Sequence, residues 1–406
     1  PGGFRGGGSG GRGFGGGSRG SEILINGKRT AGKNNSTGGQ LTRITSGQVD
    51  YIEIIRGTSG ELDVRGSGQV INVVLYDALS TSITQYAVGA QQSENNTVTP
   101  SGSVSFSGQQ GGLDFQLEAR ASDVFFRNIS RENSILGDFS PNDEIYEERA
   151  TDGSNSTISA NLGYEINNKS SARINAQFTE GEGDNETIRR TTDLKVLPNL
   201  NVFQREDSPS EIENWEIGGD YEYNTERGDR LKFLFITNAF TRSSTRERFD
   251  ITGINSEDKN LFLDSGSTTR ERIARGSYTF DMFGGSQDIE IGAERAQTIL
   301  DSKLALGVRR SSGTPSDAVG GLVPVAVSNA NSSVEEIRVE PFMIHNWIFS
   351  PRMSLETSVL YEDSEITQRG DVAKKRDFGF VKPKMDFRYD LTPTIQLRGT
   401  IEKIVE

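Results

Sequence analysis

Cysteine is absent from the chain, which removes disulfide frameworks, thiolate metal sites and thiol nucleophiles in one step. Histidine occurs once, at His345, so Ser-His and Cys-His couples and histidine-built zinc sites lack their material. We therefore read neither an enzyme nor a cofactor here. Long apolar runs are missing too. Hydrophobic residues make up 33% of the sequence, and no stretch approaches the roughly 18 to 20 apolar residues of a membrane-spanning helix. That absence leaves open a membrane-spanning β-barrel, whose strands need be apolar only at every second position.

Alternation of this kind is what the chain does have. Leu113, Phe115, Leu117 and Ala119 alternate with Asp114, Gln116, Glu118 and Arg120. The same pattern recurs from Ile158 to Ile166, Ala172 to Phe178, Trp215 to Tyr223 and Leu355 to Tyr361. It is clearest where Met385, Phe387, Tyr389 and Leu391 face Ile395, Leu397, Gly399 and Ile401 across a turn, with Asp386, Arg388, Asp390, Gln396 and Arg398 between them. Period-two alternation puts one row on each face of a sheet. We count about a dozen strands in six hairpins, with another near Ile83 to Val88.

Connection lengths separate a soluble sandwich from an outer-membrane barrel. Short turns lie at Ser107 to Gly112, Asn167 to Ser170, Asn224 to Asp229, Met282 to Ser286, Ser350 to Arg352 and Leu391 to Pro393. Long polar stretches intervene at Phe178 to Trp215, Phe240 to Arg270 and Ala296 to Val334, and read as external loops. Short turns on one side and long loops on the other are the barrel pattern. The acidic clusters Asp143, Glu144, Glu147, Glu148 and Glu180, Glu182, Asp184, Glu186 then fall in loops, as solvated charge rather than a calcium site. His345, between Phe342 and Trp347, reads as an aromatic-belt residue at a membrane interface.

The N-terminal part is different. Residues 1 to 80 carry nine basic and six acidic residues, which leaves 35 against 51 of the chain's 44 and 57 for the remainder; this sign asymmetry suggests two parts that face each other. Between Tyr51 and Leu75, two β-branched runs flank a loop with Gly57, Gly60, Gly66 and Gly68, and Glu53, Arg56, Asp63 and Arg65 sit at strand ends. Those strands read as buried, so the charges need partners. They pair either with each other, in a small α/β domain, or with an enclosing wall.

Ile23 to Arg29 (ILINGKR), Ile52 to Gly57 (IEIIRG) and Gly68 to Val73 (GQVINV) together resemble the plug domain of TonB-dependent outer-membrane receptors, with Gln69 replacing the family's usual second glycine. Asn26, Gly27, Arg29, Glu53, Arg56, Gly57, Arg65, Gly66, Gly68 and Asn72 stand at the plug-motif positions, and the Asn-Gly step suits a tight hairpin turn. The resemblance implies a mainly β chain. Residues 21–78 would be the C-terminal part of an α/β plug, and 79–406 the N-terminal part of a transmembrane antiparallel β-barrel with about twelve of an expected twenty-two strands. It implies a chain truncated relative to the family. It also implies active import across the outer membrane of a Gram-negative bacterium, by a monomer energised by the TonB-ExbB-ExbD complex, of a ferric siderophore, cobalamin or an oligosaccharide. A passive porin or adhesin-like barrel is the main rival, and a soluble β-rich binding protein a further one.

Residues 1–20 hold twelve glycines with Arg5, Arg12 and Arg19 interspersed with Phe4 and Phe14, and read as a flexible segment. Three arginines without an RNA-binding fold do not make a nucleic-acid site. The G-x-G-x-x-G match at Gly8 to Gly13 follows no strand, so it is no dinucleotide fingerprint.

Overall fold

The computed structural model describes residues 22–25, 49–56, 69–75, 82–93, 95–392 and 395–405. They form two sheets. The smaller contains β1 (Glu22–Ile25), β2 (Val49–Arg56) and β3 (Gln69–Leu75) in the order β1-β3-β2. β2 and β3 coincide with the two expected apolar strands and pair antiparallel, whereas β1 pairs parallel to β3. Burial corrects one expectation. Leu24, Val70, Asn72 and Val73 are buried, but Tyr51 to Ile54 of β2, an edge strand among the described residues, are exposed.

The larger sheet has fifteen strands: β4 (Ser82–Gln92), β5 (Val98–Gln110), β6 (Leu113–Ile135), β7 (Pro141–Asn167), β8 (Ser170–Asp193), β9 (Leu200–Asp207), β10 (Ser210–Asn224), β11 (Arg230–Gly253), β12 (Ser256–Met282), β13 (Gln287–Val308), β14 (Val323–Val325), β15 (Ser332–Ser350), β16 (Met353–Gly370), β17 (Lys374–Thr392) and β18 (Ile395–Glu402). It is an antiparallel meander running from β4 to β18. The short β9 and β14 lie off that path, which leaves thirteen strands on it: the dozen expected plus the one near Ile83.

All six expected short turns are present between paired strands. The long polar loops mostly are not. β8 continues its ladder with β7 to Asp143↔Asp193, and β11 and β12 run on to a tight turn at Ile254 and Asn255. Only 309–331 retains an extended irregular connection, containing the short β14 and the 3-10 turn Asp317–Val319. β7 and β12 reach 27 residues each, against about 9 to 11 for a membrane crossing.

The error has a physical origin. A strand wet on both faces has no apolar row to reveal its period, yet cross-strand polar pairs still stabilise it. Thr151 Oγ1 donates to Asn185 Oδ1 at 2.6 Å, Lys259 Nζ pairs with Glu247 Oε1 at 2.6 Å, and Arg205 Nη2 with Glu257 Oε2 at 2.7 Å. Both acidic clusters accordingly lie on β7 and β8 rather than in loops, where Glu148 pairs with Arg127 and Glu147 with Arg149 and Arg189.

Candidate functional site

Near the short-turn end, the two faces of the large sheet differ in kind. On β10, Trp215, Ile217, Gly219, Tyr221 and Tyr223 form one row; it continues through Phe178, Ala176, Ile174 and Ala172 of β8 and through Ala239, Thr237, Phe235, Phe233 and Leu231 of β11. Met385, Phe387 and Tyr389 of β17 face Ile401, Gly399 and Leu397 of β18 in the same manner. This apolar face is the exposed one: Ile158 is 63% and Leu397 53% accessible. On β8 and β10 the band ends in charge, since beyond Phe178 the row continues as Glu180, Glu182 and Asp184, and beyond Trp215 as Glu213 and Glu211.

Aromatic rings mark the turn end of that band. Trp347 contacts Phe349 at 4.1 Å and His345 at 6.2 Å between ring centroids, and Tyr278 contacts Phe280 at 5.8 Å. His345 Nε2 is hydrogen-bonded to Gln287 Oε1 at 2.9 Å. His345 lies on the apolar row of β15, opposite Ile289 and Thr357.

The opposite face is polar and buried. Glu216 is 1% exposed, and Asp220 bridges Arg173 at 2.7 Å. Arg338, itself buried, lies between Glu294 Oε1 at 3.3 Å and Glu340 Oε2 at 3.0 Å. Asp288, Asn346, Glu356 and Asp386 align in one cross-strand row over β13, β15, β16 and β17. Asn346 Nδ2 donates to Asp288 Oδ2 at 2.9 Å, Thr400 Oγ1 to Asp386 Oδ1 at 2.6 Å, and Lys384 pairs with Asp386 at 2.8 Å. Interleaved with these charges is a small buried apolar cluster of Leu234, Ile236, Ile273 and Ala296.

One glycine has a clear role on this face. A Cβ on Gly292 would stand 2.5 Å from the Phe342 ring, which therefore lies directly against the β13 backbone. Arg275 stacks 4.3 Å from the centroid of that ring and reaches Glu290 at 3.5 Å. Of these buried charges, those of β13 and β15 were not singled out from the sequence. Their signal was legible in QDIEIGAER, where Asp288, Glu290 and Glu294 occupy alternate positions of an apolar strand.

Farther along the strands, ion pairs hold the long arms together. Arg205 is clamped between Glu257 and Asp207, and its hydrogen bonds hold the Glu257 carboxyl below the usual carboxylate range. Desolvation pushes Asp250 upward, but hydrogen bonds from Asn260 and Gln204 and the charge of Arg309 bring it below its ordinary value.

Among the plug-motif residues, Glu53 and Asn72 face each other across β2 and β3, and Asn72 Nδ2 donates to Glu53 Oε2 at 3.3 Å. The backbones of Arg56 and Gln69 close the same ladder. Asn26, Gly27, Arg29, Gly57, Arg65, Gly66 and Gly68 lie outside the described residues. The described residues hold no His, Asp and Glu group arranged to take a metal ion.

No protein-family model matches the chain, and no curated protein matches it. Several solved structures are similar to it. They include the ferric-catecholate import receptor Fiu from E. coli K12 in its open form, at 11% identity over 93% of this chain and 77% of that one, with a TM-score of 0.32. The ferric citrate transporter FecA in its unliganded form matches at 12% identity over 92% and 67%, with a TM-score of 0.29. The siderophore receptor PirA from Pseudomonas aeruginosa matches at 12% identity over 94% and 86%, with a TM-score of 0.20.

Proposed function

We propose that this chain belongs to a TonB-dependent receptor that imports a scarce ligand across the outer membrane. The observation that carries the reading is the inversion of the large sheet, whose apolar face is exposed while its charged face is buried. In water that arrangement leaves an apolar patch far larger than the few hundred Å² usual on a soluble monomer. Against lipid it is the stable one: the Trp215 to Tyr223 row, nine residues long, suits a crossing of about 9 to 11 residues.

The plug resemblance supports the energised reading over a passive pore. A porin has no use for the Ile52 to Val73 motif, whereas a gated receptor needs a domain that stays seated and still moves. Arg56 and Arg65 carry the sign of charge that suits ion pairs with an acidic wall, consistent with the basic balance of residues 1 to 80 against the acidic remainder. The ligand is a ferric siderophore, cobalamin or an oligosaccharide, and the long strand arms suit its capture outside the membrane. The partners are then TonB-ExbB-ExbD and outer-membrane lipid, with the receptor acting as a monomer.

The test is cellular. The full-length protein should fractionate with the outer membrane, migrate as a heat-modifiable species, and take up ligand only while TonB and a proton gradient are present. Uptake that persists without TonB would favour the passive barrel, and recovery in the soluble periplasm would remove the membrane reading altogether.

A further inference from the structure

The apolar band does not end alike on every strand. On β8 and β10 it ends in Glu180 and Glu213. On β12 the row Tyr278, Gly276, Ala274 gives way to Arg272 and Arg270, and on β13 the row Ile289, Ile291, Ala293 gives way to Arg295, the ninth residue of that strand. These three arginines share the apolar face. Ala274 stands opposite Arg295 and Arg272 opposite Gln297, so Arg272 and Arg295 are diagonal neighbours, their Cβ atoms within roughly 8 Å. Thr237 of β11 and Val339 of β15 flank the pair.

Their partners are unequal. Arg270 pairs with Asp301 at 2.8 Å. Among the described residues, Arg272 has only a long contact to the neutral Gln297 at 3.4 Å, and Arg295 forms no ion pair. Lys303, Lys375 and Arg127 on the same face are each paired with a carboxylate. Two like charges side by side at the edge of an apolar band repel unless an anion lies between them. A guanidinium matches a phosphate by two parallel hydrogen bonds, and its stem tolerates apolar surroundings.

We infer that Arg272 and Arg295 form a binding site for the phosphate of an anionic membrane lipid, at the headgroup level over β12 and β13. The inference rests on the membrane reading above. The carboxylates ending β8 and β10 repel the same headgroup, so the site selects one sector of the wall. Continuity with the apolar band picks out a lipid rather than a free anion, because the acyl chains of a bound lipid would lie along Ala274, Ala293 and Ile291.

The experiment uses the full chain in nonionic detergent. It is titrated in separate arms with short-chain phosphatidic acid, phosphatidylcholine and inorganic phosphate, and retained molecules are counted by native mass spectrometry. Wild type should hold phosphatidic acid roughly tenfold more tightly than R272Q/R295Q. R272K/R295K should keep most of the binding, R295E should abolish it, and K303Q should match wild type. Equal retention by R272Q/R295Q, or equal binding of phosphatidylcholine, would overturn the site. Displacement of phosphatidic acid by an equal concentration of inorganic phosphate would overturn the lipid assignment. A chain that takes up no lipid of either kind would overturn the membrane reading itself, whereas uptake without headgroup preference overturns this inference alone.

Discussion

Leu397 and Gln396 are consecutive residues that meet different surroundings. Leu397 lies on the exposed apolar row opposite Tyr389, while the Gln396 side chain bonds to Asp390 on the polar face. Leu397→Arg should therefore lower insertion stability by about 2 to 4 kcal/mol, and Gln396→Arg by much less. Folding titrations into lipid vesicles check the difference, and equal losses would mean that the apolar row meets no lipid. Asp386→Arg, although also on the polar face, should be harmful, because a new cation there would meet Lys384, which now pairs with Asp386 at 2.8 Å. Arg338 makes the complementary case. Arg338→Ala would leave Glu294 and Glu340 facing each other without a cation in a buried setting, which should cost roughly 3 to 5 kcal/mol in the same titration.

At the scale of the element, the long strands such as β7, β8, β11 and β12 have a band near the short turns and an arm beyond it, and the two should respond differently to acid. Asp250 and Glu257 in the arms are held below the usual carboxylate range, so their pairing contributes stability above that range and loses it as pH falls through it. Hydrogen exchange should show the arm ends of β9, β11 and β12 loosening below about pH 4 while the band around β10 stays protected. Loss of protection in both together would tie the arms and the band into one cooperative unit.

The same division explains what the sequence disclosed. Where one face is apolar, as at Met385 to Leu391, strand, register and turn were all legible. Where both faces are wet, as at Thr241 to Gly253, the period vanished and a strand read as a loop. The lateral pairing of Glu294, Arg338 and Glu340 was hidden for another reason: it depends on which residues β13 and β15 place opposite each other, across an irregular connection at 309–331. In the small sheet the strands β2 and β3 followed from their apolar runs, but the parallel pairing of β1 did not, because the Asn-Gly step suggested a local hairpin partner instead.

For the molecule as a whole, the decisive distinction is between a wall and a gate. The large sheet supplies a wall whichever barrel this is, so variants of the wall report on insertion. The small sheet is where gating would reside. Its best-defined polar contact is the bond from buried Asn72 to exposed Glu53, and Arg56 is the last residue of β2. A plug charge that serves transport must change partners during the cycle, so its removal harms movement more than folding. Glu53→Ala and Arg56→Ala should thus leave outer-membrane insertion and heat-modifiable migration near wild type, while energised uptake falls at least tenfold. Asn72→Ala should act differently, because it removes a buried side chain with its packing and hydrogen bonds, destabilising the small sheet by about 1 to 3 kcal/mol and reducing ligand binding as well as uptake. Uptake and binding measured in parallel, with and without TonB, separate the outcomes. If both charge variants transport like wild type in energised cells, the motif is structural and the passive barrel becomes the better account of this chain.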